Sequence, residues 1–255
     1  MKTIQLAGSV CISIFLSSCS QFQTDNTVQP TVRSNEVAEA NINLGMEYMK
    51  QGDYTKALEK LKKAQAADPG FPSVYNALGL LYQQLGEADK AEQNYKRALN
   101  LNASDPSTLN NYGFFLCQSG RYEEAEAAFL KAADNPLYKT PEIAISNAGT
   151  CALINGYTEV AETHFRNALK INSRIPTVLI QMSELSYNQG KYLNARGYLQ
   201  RYLAIDKHTP KSLWLGIRIE RELGDKDALS SYALLLRNNY PESEEAQLLR
   251  ESGGN

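Results

Sequence analysis

The chain is 255 residues long and close to electrical balance, with 26 lysines and arginines against 28 aspartates and glutamates. No block of one sign occurs, which speaks against nucleic-acid binding by bulk electrostatics. Once the N-terminal segment is set aside, roughly 220 residues remain, enough for one superhelical domain.

In chain order the first element is a targeting segment. Lys2 supplies a positive start, Ile4 to Leu16 is an apolar run, and Leu16-Ser17-Ser18-Cys19 follows. This is the pattern of a signal peptide over residues 1–18. The run is too short for a hydrocarbon core of ~30 Å, which asks for about 20 residues, so no permanent transmembrane helix is expected. The Leu-Ser-Ser-Cys stretch resembles the bacterial lipobox, in which a small residue precedes the cysteine that becomes the mature N-terminus and carries lipid. An ordinary secretory signal with an incidental cysteine is the alternative. The resemblance implies lipid attachment at Cys19. One acyl chain binds membranes only marginally, whereas the several chains of such an anchor hold for good. Ser20 follows in place of an aspartate, and by resemblance to sorted bacterial lipoproteins this implies the outer membrane, facing the periplasm. The rest of segment 19–37 is expected to be a flexible tether, since it is rich in Gln, Thr, Asn and Ser, contains Pro30 and lacks apolar periodicity up to about Asn35.

A period then takes over. Gly52, Gly86, Gly120, Gly156 and Gly190 recur about every 34 residues, and Ala57, Ala91, Ala125, Ala161 and Ala195 keep the same step. A repeat of this length is one helix-turn-helix unit that cannot bury its own apolar face, so neighbours must stack. Units are expected at about 38–71, 72–105, 106–141, 142–175 and 176–210, with a degenerate one at 211–241 and a C-terminal tail at 242–255. In the second unit Leu78-Gly79, Tyr82, Gly86, Ala91, Tyr95 and Ala98 show the pattern, in which small residues let two helices approach and large ones fill the space around them. The fourth unit arrives two residues late because of Asn135 to Pro141, which predicts a longer loop. The fifth has Tyr202 where the second small residue belongs, which predicts slightly separated helices. The sixth, around Gly224-Asp225, lacks the small-residue signature.

This pattern resembles the tetratricopeptide repeat over about residues 38 to 241, which implies an all-α, right-handed α-solenoid of about six repeats. Three stretches carry a narrower resemblance: Leu109-Asn110-Asn111-Tyr112-Gly113-Phe114-Phe115-Leu116, Gly120-Arg121-Tyr122-Glu123-Glu124-Ala125, and Leu213-Trp214-Leu215-Gly216-Ile217-Arg218. With the lipobox and the six-unit length they resemble the PilW/PilF lipoproteins of the bacterial type IV pilus system. That resemblance implies a pilotin, which helps the outer-membrane secretin of the pilus system to localise and assemble. The implied partners are the pilus secretin, other pilus assembly proteins and, through the lipid, the outer membrane. No cofactor, nucleic acid or small-molecule substrate is expected. A general outer-membrane adaptor that recruits peptidoglycan enzymes or an envelope assembly complex is the rival.

In this architecture the first helix of each unit lines the concave face. The inward positions are Ile42, Met46, Met49 and Lys50; Asn76, Leu80, Gln83 and Gln84; Asn110, Phe114, Cys117 and Gln118; Ser146, Thr150, Leu153 and Ile154; and Ile180, Glu184, Tyr187 and Asn188. Only Lys50 is basic among them, so the cationic clamp by which some members of the superfamily hold an acidic tail is not expected. An apolar strip of Leu80, Phe114, Leu153, Ile154 and Ile180 remains, edged by the amides of Asn76, Gln84, Asn110 and Gln118. Such a strip suits an extended or helical peptide, with amides pairing to backbone and apolar residues receiving side chains. Packing of the strip against neighbouring units is the other reading.

Cys117 and Cys151 are the thiols of the folded body and fall at similar height on adjacent first helices. A bridge would close about 33 residues and add ~3 kcal/mol in the chain-entropy model; two buried free thiols are the alternative. His164 and His208 stand alone, without partners at metal-ligand spacing, and are read as surface or packing residues. Neither a G-x-S-x-G elbow nor a P-loop occurs, and Glu123-Glu124 and Glu244-Glu245 diverge on their helices. No catalytic residue and no metal ligand is assigned, and the chain is read as a binding protein.

Overall fold

The structure, a computed structural model, describes residues 34–253. The signal peptide, Cys19 and most of the expected tether lie outside the described residues. Among the described residues there are thirteen α-helices and no strand. They form hairpins: α1 (Ser34–Lys50) with α2 (Tyr54–Ala67), α3 (Pro72–Gln84) with α4 (Ala88–Leu101), α5 (Pro106–Gln118) with α6 (Tyr122–Ala133), α7 (Pro141–Ile154) with α8 (Thr158–Ile171), α9 (Pro176–Asn188) with α10 (Tyr192–Leu203), and α11 (Pro210–Leu223) with α12 (Lys226–Asn239). A last helix, α13 (Glu244–Glu251), follows.

Local chemistry sets these boundaries. A proline opens α3, α5, α7, α9 and α11, where its missing N–H costs nothing. Asp53, Asp105 and Asp225 cap α2, α5 and α12 by accepting a backbone N–H, and Thr209 and Ser212 form a reciprocal capping box on α11. Inside each hairpin the turn residue is a glycine at positive φ, from Gly52 through Gly224, a left-handed conformation that a side chain would strain.

The hairpins close on small residues. A Cβ added to Gly79 would lie 2.7 Å from the ring of Tyr95, which is fully buried. Leu61, Phe129, Phe165 and Leu199 occupy the same place in units one, three, four and five, each at most 1% exposed, and with Tyr95 they form the spine of the stack. Ser183 replaces the glycine in the fifth unit and donates from Oγ to the carbonyl of Ala195 at 2.8 Å, while Tyr202 is buried and donates from its hydroxyl to the Lys207 carbonyl at 3.1 Å.

Odd-numbered helices pack on their odd-numbered successors, α1 on α3, α3 on α5, α5 on α7 and α9 on α11, whereas even-numbered helices make no comparable contact with one another. A stack held more tightly on one side curves toward it, so the odd-numbered helices line the inner face.

Four features differ from expectation or refine it. First, α1 begins at Ser34, so residues 34–37 belong to the first unit rather than to the tether; Glu36 in the first turn favours the helix electrostatically. Second, the sixth unit does carry the small-residue signature: a Cβ on Gly216 would lie 2.9 Å from the Tyr232 ring. Gly216 falls one position short of the regular step after Ser183, which hid it. Third, the expected tail contains α13, capped by Ser243, which buries Ala246 and Leu249 against Leu213, Ile217, Ala233 and Leu236 and so covers the end of the stack. Fourth, the longer loop after α6 is held in place, since Asn135 donates to the Ser104 carbonyl at 2.7 Å and accepts from the Leu137 backbone N–H at 2.9 Å.

Candidate functional site: the inner face

The sequence-derived strip divides in two. Leu80 and Leu153 are half-buried and pack on the core cluster that contains Tyr95, Phe115 and Phe129, so they form a floor. Phe114 is 47% and Ile154 74% exposed, and these two apolar side chains stand free on α5 and α7. Ile180 is half-buried against the fifth-unit core. Ser146 does not face the groove: it is buried and its hydroxyl donates to the Glu142 carbonyl of its own helix.

The amides do more than edge the strip. Asn111 donates to Asn76 Oδ1 at 3.0 Å, Asn147 to Asn110 Oδ1 at 2.9 Å, and Gln83 to Gln118 Oε1 at 2.7 Å, while Thr150 donates to Gln181 Oε1 at 3.3 Å. These bonds form a ladder that ties successive inner helices together. Gln83 is used at both ends, since its Oε1 accepts from the Tyr95 hydroxyl at 2.7 Å, whereas the NH₂ groups of Asn76, Asn110 and Gln118 and the carbonyls of Asn111 and Asn147 are left without a partner among the described residues. Gln84 is exposed on α3. Asn111, Asn147 and Gln181 recur at the repeat step one place after the inward positions of Asn110, Ser146 and Ile180, so the inward count passes over their pairing role.

Cys117 and Cys151 are joined, with S–S 2.06 Å and Cα atoms 5.8 Å apart, which fastens α5 to α7, the two helices that carry Phe114 and Ile154. A second fastening lies between units two and three. Glu92 Oε1 accepts from Arg121 Nη1 at 2.7 Å, from the Tyr112 hydroxyl at 2.9 Å and from Lys96 Nζ at 2.9 Å. Those bonds, Arg121 first, hold its carboxyl down at about 2 against an opposing effect of burial. His164 is buried, with Nε2 at 2.7 Å from Glu126 Oε1, and links α8 to α6.

Two residues on the inner face complete its charge. Arg218 of α11 lies over the Tyr187 ring of α9, 4.6 Å from its centroid, and its Nη2 is 3.9 Å from Glu184 Oε1. Lys50 is the one basic residue among the inward positions of the first five units, and Arg218 adds a cation from the sixth. Arg218 lies in the sixth unit, beyond the five whose inward positions follow from the regular period.

Among the described residues no group of three or more His, Cys, Asp or Glu side chains could hold a metal, and no helix is long and apolar enough to cross a membrane. A recess of about 710 Å³ between α11 and α12 is lined by Glu220, Asp225, Lys226, Leu229 and Leu234. Its carboxylates are both engaged by Arg196, with Glu220 Oε1 at 3.0 Å from Nε and Asp225 Oδ2 at 3.2 Å from Nη2. They are therefore not poised as a general acid and base.

Comparison with known proteins agrees with this architecture. Tetratricopeptide-repeat family models match residues 45–86, 72–105 and 94–127. The type IV pilus assembly protein PilF of Pseudomonas aeruginosa is 31% identical over 245 residues, which cover 96% of this chain and 97% of that protein. The solved structure of Pseudomonas aeruginosa PilF superposes with a TM-score of 0.76 at 32% identity, covering 86% of this chain and 99% of that one. That of PilW, described as a widely conserved type IV pilus biogenesis factor, gives a TM-score of 0.75 at 31% identity over 84% of this chain and 99% of its own.

Proposed function

The chain belongs to the PilF/PilW family of tetratricopeptide-repeat proteins of type IV pilus biogenesis, and on that premise we propose that it acts as a pilotin, binding the pilus secretin along its inner face and promoting secretin assembly at the outer membrane. The observation that carries the reading is the strip itself. Phe114 and Ile154 stand exposed above the Leu80 and Leu153 floor, beside amides with unused donors and acceptors, in a family whose relatives serve pilus assembly. A partner segment in extended form offers backbone N–H and C=O groups to those amides and apolar side chains to the strip. A helical segment satisfies its own backbone and gains less from them.

The mechanism is thermodynamic rather than chemical, and the interaction role of the repeat scaffold needs no catalytic group. Lipid at Cys19, which lies outside the described residues, holds the protein on the periplasmic side of the outer membrane. Confinement of the bound secretin there raises its local concentration, as a linker does for tethered modules. The double change Asn110→Ala and Phe114→Ala removes one amide and the more central exposed apolar residue. It should weaken secretin binding by about tenfold or more, as loss of a hot-spot aromatic does, with the fold intact. Unchanged binding by this variant, measured with purified secretin periplasmic domains, would remove the groove assignment.

A further inference from the structure

Met46, Leu80, Phe114, Thr150, Glu184 and Arg218 follow one another at the repeat step, lengthened only between Phe114 and Thr150, one from each inner helix. From α1 to α11 this row passes from apolar to polar to charged. Arg218, its last member, is held without being satisfied. Its guanidinium is stacked on Tyr187, yet the nearest carboxylate oxygen, on Glu184, stands beyond hydrogen-bond reach at 3.9 Å. Its Nε is buried with no acceptor among the described residues. Arg121, Arg166 and Arg196 each donate to a carboxylate instead. An arginine whose plane is fixed by an aromatic ring presents its N–H groups in the fork geometry that a carboxylate matches.

We infer that Arg218 stacked on Tyr187 is a carboxylate-binding subsite at one end of the groove. The segment bound there carries an aspartate or glutamate side chain over α9 and α11 and apolar side chains over Phe114, Leu153 and Ile154. The inference rests on the secretin reading above. Charge complementarity also sets the direction of the segment. At the opposite end Lys50 is paired with Glu47 at 3.5 Å and its side chain is 74% exposed. It thus offers a solvated ammonium where Arg218 offers a fixed fork. Glu184, with a side chain 60% exposed, competes for Arg218 from 3.9 Å and is displaced when the partner carboxylate arrives.

The test presents the full-length lipidated protein, in mild detergent, with short overlapping peptides from the periplasmic part of the host's pilus secretin. Their C-termini are amidated, so that only side-chain carboxylates remain. Each binding peptide is compared with its Asp→Asn or Glu→Gln form, against wild type, Arg218→Met, Arg218→Lys and Glu184→Gln. The expected result is a loss of about tenfold or more from either the peptide amide or Arg218→Met, with the two together costing little more than one alone. Arg218→Lys should restore part of the affinity, and Glu184→Gln should keep or tighten it. Peptides that bind with no response to the amide change would overturn this inference and leave the secretin reading standing, whether or not Arg218→Met weakens them, since an effect of Arg218 alone marks a structural role. Binding of no secretin peptide at all would overturn both.

Discussion

A Cβ built on Gly149 would lie 2.6 Å from ring carbons of Phe165, and Phe165 is itself fully buried, so the ring has nowhere to move. Gly149→Ala should therefore destabilise the protein by about 1–3 kcal/mol through overpacking. Gly197, inside α10, has nothing within 4 Å of the same position. Gly197→Ala should stabilise by about 0.5–1 kcal/mol through helix propensity. Urea unfolding of the pair should show opposite signs, and shifts in the same direction would contradict the account of how the hairpins close. Glu92 gives a pH dependence. Its carboxyl is lowered from the ordinary 4.5 to about 2, so the folded state binds this proton less readily than the unfolded chain. Its contribution is fully present above the unfolded value and is lost as the pH falls toward about 2. In Glu92→Gln the acid limb of the stability profile should be shallower over that interval, as checked by thermal midpoints; an unaltered limb would mean that Arg121 and Lys96 do not hold this group. At this scale the sequence was a good guide to which residues are small or large. It was a poor guide to Asn76 and Asn110, since the partners that occupy half of each amide come from the next inner helix and no local pattern records them.

Between elements, the bridge from Cys117 to Cys151 joins α5 and α7 across the longer loop. Closing about 33 residues should contribute about 3 kcal/mol, largely by restricting the unfolded chain. Reduction, or replacement of both residues by serine, should lower the urea midpoint accordingly, and equal midpoints with and without reductant would show that the bridge adds nothing. The order of helices was legible because each repeat carries its own punctuation, glycine at the turn and proline at the next start. Two elements were misread for physical reasons. The glycine that closes α11 on α12 is displaced by one residue, so a strict period passes over it. Helix α13 is short, and its two buried residues, Ala246 and Leu249, are too few to raise a periodic signal against the polar residues around them.

For the whole molecule, the repeat makes curvature, and curvature makes a face. The repeat count alone puts Phe114 and Ile154 on that face, and both side chains are exposed on their helices. It did not show that Leu80 and Leu153 would serve as floor, since that depends on the depth to which each helix is set in the stack. Charge at the far end went unseen because Arg218, although it keeps the repeat step, lies in the sixth unit, beyond the five regular ones. The central claim is that this face holds the pilus secretin, and the most direct test is a mild-detergent pull-down of the tagged, full-length protein from its own host, with partners identified by mass spectrometry. The secretin should be recovered with wild type and lost from the Asn110→Ala, Phe114→Ala variant. Recovery of cell-wall enzymes or envelope assembly factors without secretin would contradict it.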